Sequence, residues 1–145
     1  MSKAYVHYGS KAFDLDKFLE LKDNGILRHG WHAWNNKPDY GLWASPVDTD
    51  FGWKEFCTNE DFRTDRLSES FTIELSDDAR VFTVTKLDDI PSDYISERKT
   101  HYGEDYDAME LIHSDGHYSE LHDGLFYAWD VDSIVIWNPQ IIHAL

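Results

Sequence analysis

The sequence predicts an α+β fold: one compact domain over residues 1–145, with a mixed, largely antiparallel sheet and two or three short helices. Helix-like periodicity lies early in the chain and strand-like runs lie mostly late, which is typical of α+β domains. The length of 145 residues matches a single domain. Hydrophobic residues make up 41% and aromatic residues 15%, which suffices for a core and excludes an intrinsically disordered chain.

The start of the chain predicts a strand, a turn and a helix. Residues 5–8 are aromatic and β-branched and precede a Gly-Ser pair, so they predict a strand that ends in a turn. Residues 14–25 predict a helix with Asp14 or Asp16 as its N-cap and Gly25 as its end. Three apolar side chains are expected on the buried side of this helix: Phe18, Leu19 and Leu21.

A tryptophan-rich loop leads into a second strand and helix. Residues 28–40 carry two tryptophans and a tyrosine, and we expect this loop to cover the core or a ligand. Residues 41–45 predict a short strand that ends before Pro46. The spacing of apolar residues over 51–57 suits an amphipathic helix. Its candidate caps are Ser45, Asp48 and Thr49.

The second half of the chain predicts mostly strands. Residues 71–75 and 79–85 predict two strands paired across a turn at 76–78. Residues 108–112 and 125–138 predict the last strands. Beyond Pro139, three side chains are expected to pack the end of the chain: Ile141, Ile142 and Leu145.

The net charge of −15 is concentrated in the second half. Residues 1–72 hold 12 acidic and 9 basic residues, whereas residues 73–145 hold 16 and 4. Nine acidic residues lie between Glu104 and Asp132, with no Lys or Arg after Lys99. This distribution makes a phosphate-backbone binder of nucleic acid unlikely and directs an anionic small molecule to the first half.

The remaining composition predicts a soluble, cytoplasmic protein. The single cysteine, Cys57, excludes an internal disulfide and a cysteine-based zinc site. No apolar run approaches the ~18 residues of a membrane span, and we expect no signal peptide.

Two groups of polar residues are candidates for chemistry. His113, His117 and His122 are metal-ligand residue types, but the Ser-Asp-Gly sequence that follows His113 favours a polar loop, and no metal site is expected. Asp130 and Asp132 fall on one face of a predicted strand, where burial and mutual repulsion would raise one pKa. They form an active-site pair if that face is buried, and ordinary surface charges if it is exposed.

Three segments occur in an order that matches a known family. Residues 8–10 (Tyr-Gly-Ser) end the first strand, residues 37–45 contain a glycine-started strand with an aromatic residue, and residues 132–139 start with a carboxylate followed by β-branched residues. Together they resemble the motifs of the ADP-ribosyltransferases, particularly the poly-ADP-ribose-polymerase and diphtheria-toxin branch.

The resemblance implies a split sheet that grips NAD in a cleft, with NAD as the substrate. It implies that the main chain of Gly9 pairs with the nicotinamide amide, Ser10 contacts the nicotinamide or its ribose, and Trp43 stacks on the ring. Asp132, with Asp130 beside it, would be catalytic by stabilising the positive charge that develops on the ribose. The implied NAD-binding residues are His7, Tyr8, Gly9, Ser10, Lys37, Gly41, Trp43 and Ser45. Cations for the pyrophosphate would come from Lys11, Arg28 or Lys37.

The family places a histidine directly before the glycine, whereas Tyr8 stands there in this chain. Strand alternation sends His7 and Tyr8 to opposite faces, so either His7 reaches the cleft through a bulge or Tyr8 serves instead. Asp132 stands where the family has a glutamate, and Glu110 on the preceding strand is a second candidate for that carboxylate.

The leading hypothesis is therefore an NAD-dependent mono-ADP-ribosyltransferase-like protein with a macromolecular acceptor, which is a protein target or a nucleic acid. The alternative is a non-catalytic acidic inhibitor, which presents the carboxylates of residues 104–132 to a basic partner in imitation of nucleic acid. A third interpretation is a small domain whose acidity serves only solubility.

Overall fold

Seven strands and two short helices form one α+β domain in the computed structural model, which describes residues 3–20, 41–49, 51–86, 89, 106–113 and 131–144. The strands are β1 Ala4–Tyr8, β2 Leu42–Pro46, β3 Ser70–Leu75, β4 Val81–Val84, β5 Ala108–Leu111, β6 Ser133–Ile136 and β7 Ile142–Ala144. The helices are α1, of which residues 15–20 are described, and α2, Trp53–Asn59. Two 3₁₀ turns cover Thr64–Ser68 and Pro139–Ile141.

The strands are ordered β4-β5-β6-β2-β1-β3-β7, and β4 with β5 is the parallel pair in an otherwise antiparallel sheet. Strand β2 joins two halves of this sheet. Its residues 42–44 pair with β6, whereas only Ser45 and Pro46 pair with β1. We call β1, β3 and β7 the first half-sheet, and β2, β6, β5 and β4 the second half-sheet. The mixed, largely antiparallel sheet predicted from the sequence is confirmed.

The core is built from the strands of both halves. Ile73, Ile134 and Ile136 are fully buried, and Phe18 of α1 packs onto the same cluster. Helix α1 begins as predicted, because the Asp14 carboxylate accepts a hydrogen bond from Lys17 N at 3.0 Å. Leu19 is 41% exposed, so its predicted burial is wrong. The predicted end of this helix, with Leu21 and Gly25, lies outside the described residues.

Helix α2 has a different N-cap from the three candidates. Gly52 occupies that position, and its own N–H donates to the Glu55 carboxylate at 3.1 Å. Ser45, eight residues earlier in the chain, nevertheless provides an acceptor for the first turn of the helix, because its hydroxyl accepts a hydrogen bond from Trp53 N at 3.1 Å. This bond ties the start of α2 to the end of β2.

The predicted hairpin between residues 71–75 and 79–85 is wrong. Both segments form strands, but β3 lies between β1 and β7, whereas β4 pairs with β5 at the opposite edge of the sheet. Strand β2 extends one residue further than predicted, because it includes Pro46. The end of the chain also differs from the prediction, because residues 142–144 form a strand that pairs with β3. Ile141 is buried as expected. Leu145 and the predicted strand residues 125–130 lie outside the described residues.

In the described part of the chain, no helix combines the length and hydropathy that crossing a membrane requires.

Candidate functional site

A cavity of about 770 Å³ opens where the two half-sheets separate. Its walls come from the end of β1, from β2, from the start of β6, and from α2 with the loop that follows it. Among the residues predicted to bind NAD, His7, Tyr8, Trp43 and Ser45 line it together. The other lining residues are Val6, Ala44, Trp53, Phe56, Glu60, Phe62, Arg63, Arg66, Val131 and Ser133.

The gap between the half-sheets begins at His7. Main-chain pairing of β1 with β2 ends at Val6 and Ser45. At the next step the imidazole of His7 takes the place of a main-chain group, and its Nδ1 lies 2.6 Å from the carbonyl oxygen of Trp43. The two strands are therefore linked by a side chain where a ladder hydrogen bond would otherwise form, and the cavity lies beyond that link.

The ionisation state of His7 follows from its surroundings. Burial lowers the pKa of His7, and this effect outweighs the bond to the Trp43 carbonyl, which raises it. The ring is therefore neutral at pH 7. Because a carbonyl only accepts, Nδ1 carries the proton and donates it to Trp43 O, which leaves Nε2 as an acceptor. The ring packs against Phe71 of β3, with the two ring centroids 5.0 Å apart.

The lowered pKa of His7 predicts a specific pH dependence of stability. Between the pKa of the unfolded chain, about 6.5, and the lower pKa of the folded state, the unfolded chain binds more protons. The contribution of His7 to the free energy of unfolding is therefore complete above pH 6.5 and is lost as the pH falls below that value.

We expect the free energy of unfolding, measured by urea denaturation from pH 7.5 to pH 5, to fall less steeply for His7→Gln than for the wild type. Gln keeps a donor for Trp43 O but does not titrate. Identical slopes for the two proteins would contradict this role of His7.

His7 and Tyr8 both line the cavity, although they point to opposite faces of β1. No bulge is needed, because the cavity surrounds the open edge of the strand where β2 has diverged. Burial raises the pKa of the Tyr8 phenol, with a smaller contribution from the nearby Glu55 carboxylate, so Tyr8 is a neutral hydroxyl. The two alternatives for this position are thus both present in the site.

The main chain of Gly9 is placed differently from the role that the resemblance implies. Gly9 N–H donates to the carbonyl of Glu69 at 2.9 Å and continues the ladder between β1 and β3. Alternate residues of an antiparallel strand direct their main-chain groups to opposite sides, so the groups of Tyr8 face the gap toward β2. Neither Gly9 nor Ser10 lines the cavity.

Gly41 and Ser45 both have a structural role in the placement of β2. Gly41 has φ +133°, and a Cβ added there would lie 2.5 Å from Val135 Cγ2, so this residue allows close approach of β2 to β6. Ser45 lines the cavity but is 3% exposed, and its hydroxyl already serves the first turn of α2. Lys37 lies outside the described residues.

Asp132 is buried and bonded on the side away from the cavity. Its neighbours Val131 and Ser133 line the cavity, but Asp132 does not. Its carboxylate accepts hydrogen bonds from the Thr49 hydroxyl at 2.7 Å and from His113 N at 2.8 Å. Asp132 therefore joins β6 to the end of β5 and to the segment after β2. Asp130 lies outside the described residues.

Sequence reasoning missed the wall opposite β1. Trp53 and Phe56 stack with ring centroids 5.6 Å apart, and Phe62 packs edge-on against both. Two arginines, Arg63 and Arg66, line the same side. The available signal was the density of aromatic residues at 51–62, followed by two arginines three positions apart. Both lie in the half of the chain in which the numbers of acidic and basic residues are more nearly equal.

The other charged candidates lie elsewhere. Glu110 is buried outside the cavity, where its carboxylate accepts from Tyr5 Oη at 2.6 Å and from Lys3 Nζ at 2.9 Å. Lys11 is exposed and does not line the cavity, and Arg28 lies outside the described residues. Among the residues with described positions, no group of His, Cys, Asp and Glu is arranged to hold a metal ion.

The acidic stretch from Glu104 to Asp132 contributes three of its nine carboxylates to the described structure, at Asp107, Glu110 and Asp132. All three are buried and hydrogen-bonded. Burial alone would raise the pKa of Asp107, but hydrogen bonds from Arg80 and Asn138 lower it on balance. These three carboxylates therefore stabilise the fold and are not displayed to a partner. The other six lie outside the described residues.

Comparisons with protein-family models, with curated proteins and with solved structures find no match to this chain, so the geometry of the cavity is the basis for its function.

Proposed function

We propose that this protein binds NAD in the cavity between its half-sheets and transfers ADP-ribose from it to a macromolecular acceptor. The observation that supports this proposal is that His7, Tyr8, Trp43 and Ser45, taken from two motifs about 35 residues apart in the sequence, line one cavity. A volume of about 770 Å³ lies within the range of small-molecule sites.

The residues at the gap suit the nicotinamide riboside half of NAD. Trp43 provides an aromatic surface on which a cationic pyridinium ring gains both stacking and cation–π stabilisation. The neutral His7 ring has Nε2 available to accept a hydrogen bond from a ribose hydroxyl. The main-chain groups of Tyr8, which face the gap, suit the donor and acceptor of a carboxamide.

The proposed reaction breaks the bond between ribose C1′ and the nicotinamide nitrogen. The electron pair leaves with nicotinamide, and an acceptor nucleophile forms the new bond to C1′ and loses its proton. A carboxylate near the ribose would stabilise the positive charge that develops on the sugar. Of the residues whose positions are described, Glu60 is the carboxylate that lines the cavity, and Asp130 remains the sequence-based candidate.

Trp43→Ala is expected to weaken NAD binding at least about thirtyfold, since it removes the ring on which nicotinamide would stack. Trp43→Phe keeps an aromatic face and should retain binding within a few-fold. Isothermal titration with NAD measures both, and a thermal midpoint for each variant verifies that it is folded. No heat from the wild type at millimolar NAD would refute the proposal, as would equal affinity for the Ala and Phe variants.

A further inference from the structure

Arg63 and Arg66 are the two basic residues in the described lining of the cavity. Arg80 and Lys3 form ion pairs with buried carboxylates, at 3.1 Å and 2.9 Å. Within the described ranges, neither Arg63 nor Arg66 has an ion pair or a hydrogen bond from its guanidinium. Both line the cavity, where the single acidic neighbour in the described lining is Glu60. The described lining of the cavity therefore carries a net positive charge in a protein of charge −15.

The backbone holds Arg63 in an unusual conformation. Its φ is +50°, and Asp61, two residues earlier, has φ +49°. Left-handed backbone is unfavourable for residues other than glycine and is concentrated at ligand sites. The Arg63 guanidinium lies over the Phe62 ring, 5.3 Å from its centre, and both residues line the cavity.

Arg66 lines the same cavity next to the end of β1. A Cβ placed on Gly9 would be 3.8 Å from its Nη1, so the guanidinium sits beside the end of β1. Arg66 therefore lines the cavity close to the end of β1, where His7 and Tyr8 also line it. The two arginines are three positions apart: Arg63 is the N-cap of the 3₁₀ turn Thr64–Ser68, and Arg66 lies within that turn.

We propose that Arg63 and Arg66 form a diphosphate-binding site, which rests on the proposed function in that it assigns the ADP half of the ligand to this wall. Guanidinium groups bind phosphate oxygens in a planar, two-pronged geometry that lysine does not reproduce. Trp53 and Phe62 provide a surface for the base next to this pair. The ligand of the cavity is therefore a nucleoside diphosphate derivative, and the diphosphate makes a large contribution to its affinity.

The test is titration of the protein with ADP and with adenosine, which differ in the diphosphate alone. We expect ADP to bind at least tenfold more tightly than adenosine at 50 mM salt, and this preference to shrink at 500 mM salt. Arg66→Gln and Arg63→Asn should each weaken ADP binding about tenfold or more and leave adenosine binding unchanged. Asparagine tolerates the left-handed backbone, so Arg63→Asn is expected to fold.

Lys54→Gln is the matched control. Lys54 is an exposed residue of α2, and its replacement removes one positive charge without touching this cavity. It should leave ADP affinity unchanged. The inference is overturned if ADP does not bind the wild type at millimolar concentration, if adenosine binds as tightly as ADP, or if Lys54→Gln weakens ADP binding as much as the arginine variants do.

Titration with NAD separates this inference from the proposed function. Arginine-dependent binding of ADP together with no binding of NAD would refute the proposed function and support the diphosphate site. Binding of NAD that depends on Trp43 but not on either arginine would support the proposed function and refute the diphosphate site.

Discussion

Gly41→Ala is expected to destabilise the domain by about 3 kcal/mol or more, through two separate effects. The positive φ of +133° is disfavoured for any residue with a Cβ. In addition, the new Cβ would lie 2.5 Å from Val135 Cγ2 and 3.1 Å from the carbonyl oxygen of Ile136, so β2 must move away from β6. Urea denaturation followed by tryptophan fluorescence measures the loss.

Gly9→Ala is the matched control for this prediction. Gly9 also has a positive φ, of +111°, but a Cβ there meets only the flexible Arg66 side chain, at 3.8 Å. It should show the backbone cost alone and be clearly less destabilising than Gly41→Ala. Equal losses for the two variants would show that the close approach of β2 to β6 is not what fixes glycine at position 41.

Asp132→Ala is expected to cost about 3 kcal/mol of stability. The substitution leaves two donors, His113 N and the Thr49 hydroxyl, without their acceptor in a region where Asp132 itself is 7% exposed. Asp132→Asn keeps an oxygen for His113 N, and the Thr49 hydroxyl can rotate to accept from the new amide, so this variant should lose much less. A thermal midpoint of Asp132→Ala equal to that of the wild type would contradict the structural role.

Substitution of each candidate carboxylate in turn decides which one supports the proposed reaction. Release of nicotinamide from NAD should continue within a few-fold in Asp132→Asn. It should fall about 100-fold in either Asp130→Asn or Glu60→Gln, whichever removes the carboxylate that stabilises the sugar cation. If Asp132→Asn is folded, binds NAD and releases no nicotinamide, the sequence-based assignment of Asp132 as catalytic is correct and the structural interpretation fails.

The strands were largely predictable because their signals are local. Alternation and β-branched residues located β1, β2, β3, β4 and β5, and Asp14 marked the start of α1. Their pairing was not predictable in the same way. The turn residues 76–78 suggested a hairpin, but β3 and β4 belong to opposite halves of the sheet, and contacts between distant segments decide which half each strand joins.

In the candidate site, too, the features with a local sequence signal were predictable and those that depend on contacts between distant segments were not. His7, Tyr8, Trp43 and Ser45 were identified from short motifs, and they line the cavity. The prediction that Asp130 and Asp132 share a strand face assumed that the strand already included them, whereas β6 begins at Ser133.

The residue types of the wall formed by Trp53, Phe56, Phe62, Arg63 and Arg66 are visible in the sequence, but the backbone conformation of Arg63 is not. Nothing in the residue type of Arg63 predicts a left-handed backbone, because residues other than glycine, asparagine and aspartate rarely adopt it.

The way in which β2 joins the two half-sheets makes it a mechanical joint as well as a wall of the cavity. Strand β1 of the first half-sheet is attached to β2 by two main-chain pairs and by the bond from His7 to Trp43 O, whereas β6 is attached to β2 by three pairs. Rotation of one half against the other would therefore bend the chain near Ser45 and change the width of the opening. Trp43 takes part in both features, because its residue lines the cavity and its carbonyl accepts the hydrogen bond from His7 that links the half-sheets.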